Sequence, residues 1–156
     1  IGVDPYYLSY KSLKLNIDPK VILSGRKTND EMPLFIAKRI NTKLKKKSKI
    51  LFLGLTFKED VPDLRNSKSY DVIEFLKRKK HFLDVHDPFV EININHVSFN
   101  KLQKRYYDCI VLAVAHKFYI DNSNKIFELL KPNGVFYDIK GRFDFRKDES
   151  IDYCSL

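Results

Sequence analysis

Ile50-Leu51-Phe52-Leu53-Gly54-Leu55 decides the fold. Six residues of continuous apolar character ending at a glycine have the look of a strand buried on both faces. Working outward, the polar, proline-containing stretch Thr56–Ser67 reads as a loop. Lys68–Lys80 follows as a helix, with Tyr70, Val72, Ile73, Phe75 and Leu76 as its apolar face. Phe82-Leu83-Asp84-Val85-His86 is a second strand stopped by Asp87-Pro88, and Cys109–Ala115 a third. A helix over Ser123–Leu130 leads through Pro132-Asn133-Gly134 to a fourth strand, Val135–Ile139. Apolar strands alternating with helices predict an α/β fold: a Rossmann-like parallel sheet with helices on both faces. Such sheets take ligands beyond the carboxyl ends of their strands, where the strand order reverses. The loops to watch are therefore Thr56–Ser67, Asp87-Pro88, His116–Tyr119 and Lys140–Arg142. Three of the four contain a cation or a potential one, which suits an anion site.

Upstream, Asp4-Pro5 is a helix start, because proline fits the first turn and aspartate caps it. Tyr7, Leu8, Tyr10 and Leu13 follow at helical spacing. Asn16–Lys20 is a break, and a second helix is expected from about Ser24 to Lys47 with Ile36, Ile40 and Leu44 as its stripe. Pro33 either kinks it or marks its start. If this stripe meets no partner, association through it is expected. Residues 1–48 thus read as a helical region and 49–156 as the α/β domain.

The 156 residues carry 29 Lys and Arg against 20 Asp and Glu, a formal charge of +9. Seven cations between Lys38 and Lys49, with no acid among them, account for all but two units of that excess. The run reads first as the solvated end of a helix, with a polyanion patch as the rival. With 44% hydrophobic residues, 12 Phe and 9 Tyr, the composition excludes disorder as the dominant state. No apolar run reaches the roughly 18 residues of a membrane helix. Cys109 and Cys154 form neither a disulfide framework nor a zinc set, so no metal, no membrane and no nucleic acid are expected, in a reducing, cytoplasmic setting. His81, His86 and His96 lack metal-ligand spacing.

The first strand–helix turn lacks the G-x-G-x-x-G that lets backbone approach a pyrophosphate. Only Gly54 is present. Lys58 and Arg65 are the phosphate-reaching candidates. The rival reading pairs them with Glu59, Asp60 and Asp63 merely to hold the loop.

Gly54-Leu55-Thr56-Phe57-Lys58-Glu59-Asp60 with Asp63-x-Arg65-x-Ser67 resembles the signature of the UDP-glucose/GDP-mannose dehydrogenase family, in its C-terminal nucleotide-sugar-binding domain. Val3-Asp4-Pro5-Tyr6-Tyr7-Leu8, Leu112–Lys117 and Tyr137–Gly141 resemble the branch that acts on UDP-N-acetylhexosamines (GlcNAc, GalNAc or ManNAc). The resemblance implies an NAD-dependent oxidation of the sugar C6 alcohol to a carboxylate, through a cysteine thiohemiacetal and thioester, giving a polysaccharide precursor. It implies that Phe57 and Lys58 hold the UDP-sugar and that Arg142 is a further substrate contact. Arg65 would reach NAD, and Ile1, Gly2 and Val3 would lie beside the NAD site. Asp4 would assist the covalent step, a role compatible with capping its helix. The catalytic cysteine would sit immediately before Ile1, NAD would be bound mainly by a domain absent from this chain, and the central helix would form a homodimer. The alternative is a non-catalytic nucleotide-binding or assembly module that needs a separate N-terminal half. On this reading the 156-residue chain, given UDP-GlcNAc and NAD, forms no NADH in an absorbance assay. Turnover without an added partner would refute it.

Overall fold

The structure is a computed structural model and describes residues 4–91, 95–143 and 150–156. Five parallel strands lie in the order β2-β1-β3-β4-β5: β1 (Lys49–Leu53), β2 (Phe82–His86), β3 (Tyr107–Leu112), β4 (Leu130–Asp138) and β5 (Asp152–Ser155). The order reverses between β1 and β3, so the crevice beyond their carboxyl ends is the switch point at which doubly wound sheets take ligands.

Alternation along each strand explains why both faces are covered. Ile50 and Phe52 join Cys109, Val111, Val135 and Tyr137 on one side, against α2 (Lys20–Lys43) and α3 (Ser69–Arg78). Leu51 and Leu53 join Ile110, Leu112 and Phe136 on the other. That side is closed by α4 (Lys117–Asp121), α5 (Ser123–Glu128) and the 3-10 turn Phe99–Lys101. The expected Rossmann-like sheet with helices on both faces is the observed one.

The elements differ from the sequence reading at their ends. The apolar runs continue to Leu55 and Ala115, yet pairing stops at Leu53 and Leu112. There the chain after β3 folds across Gly54, which adopts φ +92°. A Cβ on Gly54 would stand 2.6 Å from the Val114 Cβ and 2.7 Å from its backbone N and O. Pro132-Asn133-Gly134 is a bulge inside β4, since Tyr107 pairs with Leu130 but Cys109 with Val135. β5 and α4 are additional to the expected elements, and α2 begins at Lys20 with Pro33 inside it.

α1 (Asp4–Lys14) precedes α2, and its apolar residues Tyr7, Leu8, Tyr10 and Leu13 are exposed. In α2 the stripe Ile36, Ala37 and Ile40 is buried against the sheet, with Leu44 packed beside it. This corrects the expectation that the stripe is the surface left for association: the exposed large apolar residues of this helix are Val21, Leu23, Met32, Leu34 and Phe35. Periodicity identified the stripe but not its partner, which is the sheet.

Gly54→Ala should lower unfolding stability by about 3 kcal/mol, because it meets a left-handed backbone and backbone atoms that cannot yield. Urea denaturation followed by circular dichroism measures it.

Candidate functional site

The loop after β1 is held from inside by one carboxylate. Asp87, which directly follows β2, is buried and accepts the Leu55 amide at 2.7 Å and the Thr56 amide at 3.2 Å through Oδ2. Its Oδ1 takes the Phe89 amide at 2.9 Å. His116, fully buried after β3, completes the group. Its Nδ1 accepts the Asp60 amide at 2.9 Å, which assigns the proton to Nε2, and Nε2 lies 3.1 Å from both Asp87 Oδ2 and Thr56 Oγ1. The Thr56 hydroxyl in turn donates to the Lys58 carbonyl at 3.0 Å. Burial opposes ionisation of Asp87, but the His116 ring and the Leu55 and Phe89 amides outweigh it and hold the carboxyl below its usual range. Sequence reasoning placed Asp87 and His116 at the crevice, Asp87 also as a strand stop, but did not show that they hold the Thr56–Ser67 loop. Their partners lie 29 to 60 positions away, which no local pattern reveals.

Asp138, fully buried at the end of β4, does the same for the last loop. It accepts the Lys140, Arg142 and Phe143 amides and the Tyr153 hydroxyl at 2.7 to 3.0 Å. With both loops fixed by their amides, their lysine side chains stay available.

Between these loops, α2 and α3 lies a cleft of about 650 Å³. Phe57, half exposed, and Lys58 line it together with Lys140. Arg26 and Lys68 also face it, but both pair with Asp30, at 3.1 and 3.3 Å. Among the described residues neither Lys58 nor Lys140 has an ion-pair partner. Lys68, just before α3, gives no side-chain cap, the Ser67 hydroxyl accepts the Ser69 amide at 3.3 Å, and Ser69, Asp71 and Val72 line the cleft, so the first turn of that helix borders it with an acid of its own. Arg65 is elsewhere: 87% exposed, its guanidinium takes both oxygens of Asp63 at 2.8 to 3.3 Å. Arg65 thereby realises the loop-holding reading and keeps the Asp63 carboxyl down at about 2. Arg142 is exposed and lies outside the cleft lining. Asp4 is the exposed first residue of α1, whose Tyr6 reaches the cleft. Ile1, Gly2 and Val3 fall outside the described residues.

The β1 turn does not fit a dinucleotide pyrophosphate. The space beside Gly54 is filled by Val114, and the next two amides are bound to Asp87. Among the described residues no group of three His, Cys, Asp or Glu side chains is arranged for a metal ion, and no helix is long and apolar enough to cross a membrane.

Comparison with known proteins matches residues 51–145 to the UDP binding domain of the UDP-glucose/GDP-mannose dehydrogenase family. The chain belongs to that family. Over 90% of its length it is 38% identical to Protein CapL of Staphylococcus aureus, and over 96% it is 37% identical to UDP-N-acetyl-D-glucosamine 6-dehydrogenase of Pseudomonas aeruginosa. It spans 36% and 38% of those two proteins. The solved UDP-D-ManNAc dehydrogenase of Pyrococcus horikoshii shares the fold, with a TM-score of 0.81 over 99% of this chain and 37% of that one, at 24% identity. The motif resemblance read from Gly54–Asp60 and Asp63–Ser67 is thus that of a family member. It falls in the matched segment, where the cleft carries Phe57 and Lys58.

The site's foundation makes a pH prediction for this dehydrogenase-family fold. His86, next to Asp87, is buried. Burial first, then the neighbouring His96 ring, lowers its pKa from 6.5 to about 4. Its Nδ1 lies 3.0 Å from the Tyr119 hydroxyl, which donates to the His86 carbonyl at 2.7 Å. A neutral histidine in the fold and a protonatable one in the unfolded chain give a contribution present above about pH 6.5 and lost as pH falls towards 4, worth about 3 kcal/mol at most. The urea midpoint should fall through that window, and His86→Phe should flatten the slope there.

Proposed function

We propose that this chain is the C-terminal part of an NAD-dependent UDP-N-acetylhexosamine 6-dehydrogenase and that its cleft receives the UDP-sugar. The observation that carries this reading is the pair of lysines without acidic partners, Lys58 and Lys140, on loops whose amides are tied down by Asp87 and Asp138. A diphosphate is the ligand that two ammonium groups on fixed loops suit. The half-exposed Phe57 ring offers a flat apolar face beside them. The names of the relatives support the sugar class: UDP-N-acetyl-D-glucosamine 6-dehydrogenases of Salmonella typhi and Pseudomonas aeruginosa are 35% and 37% identical to this chain.

In this reading residues 49–156 form the UDP-sugar-binding domain, and residues 1–48 contribute the end of the active-site segment and part of the central dimerisation region. Lys58 neutralises and positions the phosphates, Phe57 packs on the substrate, and Arg142 supplies a further substrate contact once its side chain swings from solvent. Asp4 orients a group for the covalent step. Arg65, tied to Asp63 but highly exposed, faces outward to reach NAD held on polypeptide that this chain does not include. The thiol nucleophile belongs to that same polypeptide. The chain's own work is binding: it fixes the diphosphate so that the C6 hydroxyl has one position relative to the oxidising half.

Isothermal titration of the chain with UDP tests this. Lys58→Ala and Lys140→Ala should each weaken UDP binding about tenfold, in line with the loss of one charged contact. Arg65→Ala should leave it within about twofold. Absence of UDP binding, or binding indifferent to both lysines, would overturn the reading.

A further inference from the structure

The pole of the molecule opposite the cleft has a character that no single stretch of sequence displays. The strands enter the sheet there, and three separate segments bring cations to it. The connection from α2 to β1 supplies Lys45, Lys46 and Lys47, the last turn of α3 supplies Lys77 and the turn after it Lys80, and Arg105 precedes β3. Contacts among their immediate neighbours place them together. The Ser48 hydroxyl donates to the Lys45 carbonyl at 2.7 Å, and the Ser48 amide donates to His81 Nδ1 at 3.2 Å. The Phe82 amide donates to the Ser48 carbonyl at 3.0 Å, and the Lys49 ammonium sits 3.8 Å from the centre of the Tyr106 ring. Among the described residues none of these six cations has an ion-pair partner, and all but Lys77 are exposed. Of the acids near them in sequence, Glu74 pairs with Arg78, Glu128 with Lys104 and Asp108 with Lys131, while Asp84 accepts the Tyr107 hydroxyl.

Two further features distinguish this pole from a merely solvated helix end. Phe82 stands 61% exposed in the midst of the cations, at the first position of β2. Beside it is a hollow of about 630 Å³ lined by Lys49, Lys77, His81, Phe82 and Tyr106 and also by the Asp84 carboxylate, which accepts the Tyr107 hydroxyl at 2.8 Å. The sequence reading of Lys38–Lys49 as an isolated charge run therefore changes once the fold is known.

We propose that this pole is a docking surface for an anionic lipid bilayer, with the exposed cations facing the lipid phosphates and Phe82 entering the headgroup layer. Five of the six unpaired cations are lysines, flexible point charges suited to a fluid anionic surface rather than to bidentate reading of a nucleic acid. An exposed aromatic ring among lysines is the composition of an interfacial anchor. The pole also lies at the opposite end of the strands from the cleft, so a bilayer there leaves the cleft open to solvent. This surface is independent of what the cleft binds.

Co-sedimentation of the full chain with vesicles of phosphatidylcholine alone, or with phosphatidylglycerol added, decides the matter. Partition onto the anionic vesicles only, falling with added salt, is the expected result. Lys45→Glu/Lys46→Glu should reduce it about tenfold or more, and Lys77→Gln/Lys80→Asn several-fold. Lys20→Glu, at the far end of α2, should leave it unchanged, and all variants should keep the native circular dichroism. Should one double variant fail to fold, the other carries the test. No partition onto anionic vesicles overturns the proposal. So does partition that both double variants leave intact, or capture by duplex DNA under conditions where the vesicles are ignored.

Discussion

The carboxylate of Asp87 is the constraint on which the rest of this structure depends. Placed immediately after β2, it reaches across to the turn that ends β1 and takes two successive backbone amides there. It also holds the imidazole that follows β3. Three chain segments that only meet at the carboxyl edge of the sheet are thus fastened to one buried group. A buried carboxylate is tolerable only when it is fully hydrogen-bonded, and here the amides and the ring provide that. The same amides would otherwise be the natural cradle for a phosphate. By occupying them, Asp87 converts a nucleotide-cradle turn into a rigid platform, and the groups that face the cleft there are side chains.

Asp138 repeats the arrangement one strand beyond β3. Its oxygens gather the amides of the 140–143 turn and the Tyr153 hydroxyl, which also ties β5 to the site. Both loops that carry the cleft lysines are therefore organised from below by acids that the lysines never touch. Charge that might have neutralised Lys58 and Lys140 within the protein is instead directed at backbone. Arg26 and Lys68 meet the opposite fate, since Asp30 takes both. The cleft consequently holds two kinds of cation, those paired with Asp30 and those without an ion-pair partner among the described residues.

What the sequence disclosed follows from these physics. Strands buried on both faces must be continuously apolar, so β1, β3 and the second half of β4 were legible from their apolar runs, and β2, with Asp84 and His86 in it, from its apolar Leu83 and Val85 and its stop at Asp87-Pro88. β5 was not, because Asp152-Tyr153-Cys154-Ser155 is a four-residue edge strand with one neighbour and no need for an apolar run. Phe57 and Lys58 were legible because they sit in a motif, and they line the cleft. Arg65 was equally conspicuous in that motif, yet its near neighbour Asp63 claims it. Lys140, which does face the cleft, drew less notice than Arg142 because nothing local shows which side of a turn a residue takes. The loop-holding roles of Asp87 and His116 remained out of sight, since they are defined by partners far away along the chain.

One feature of the helical region bears on how the cleft would respond to load. α2 is anchored over its last third, where Ile36, Ala37 and Ile40 are sunk in the core, while Val21 and Leu23 at its other end project into solvent. Between anchor and tip, Asn29, Asp30, Met32 and Pro33 form one wall of the cleft. A 24-residue helix acts as a lever with its fulcrum in the sheet, and Pro33, which has no amide to donate, makes the turn just before the anchor its softest point. A tilt of only about 5° about the buried end moves the tip by roughly 2 Å and the cleft wall by about half as much. Mechanical displacement of the distal turns is thereby geared down into fine adjustment of the space above Phe57 and Lys58.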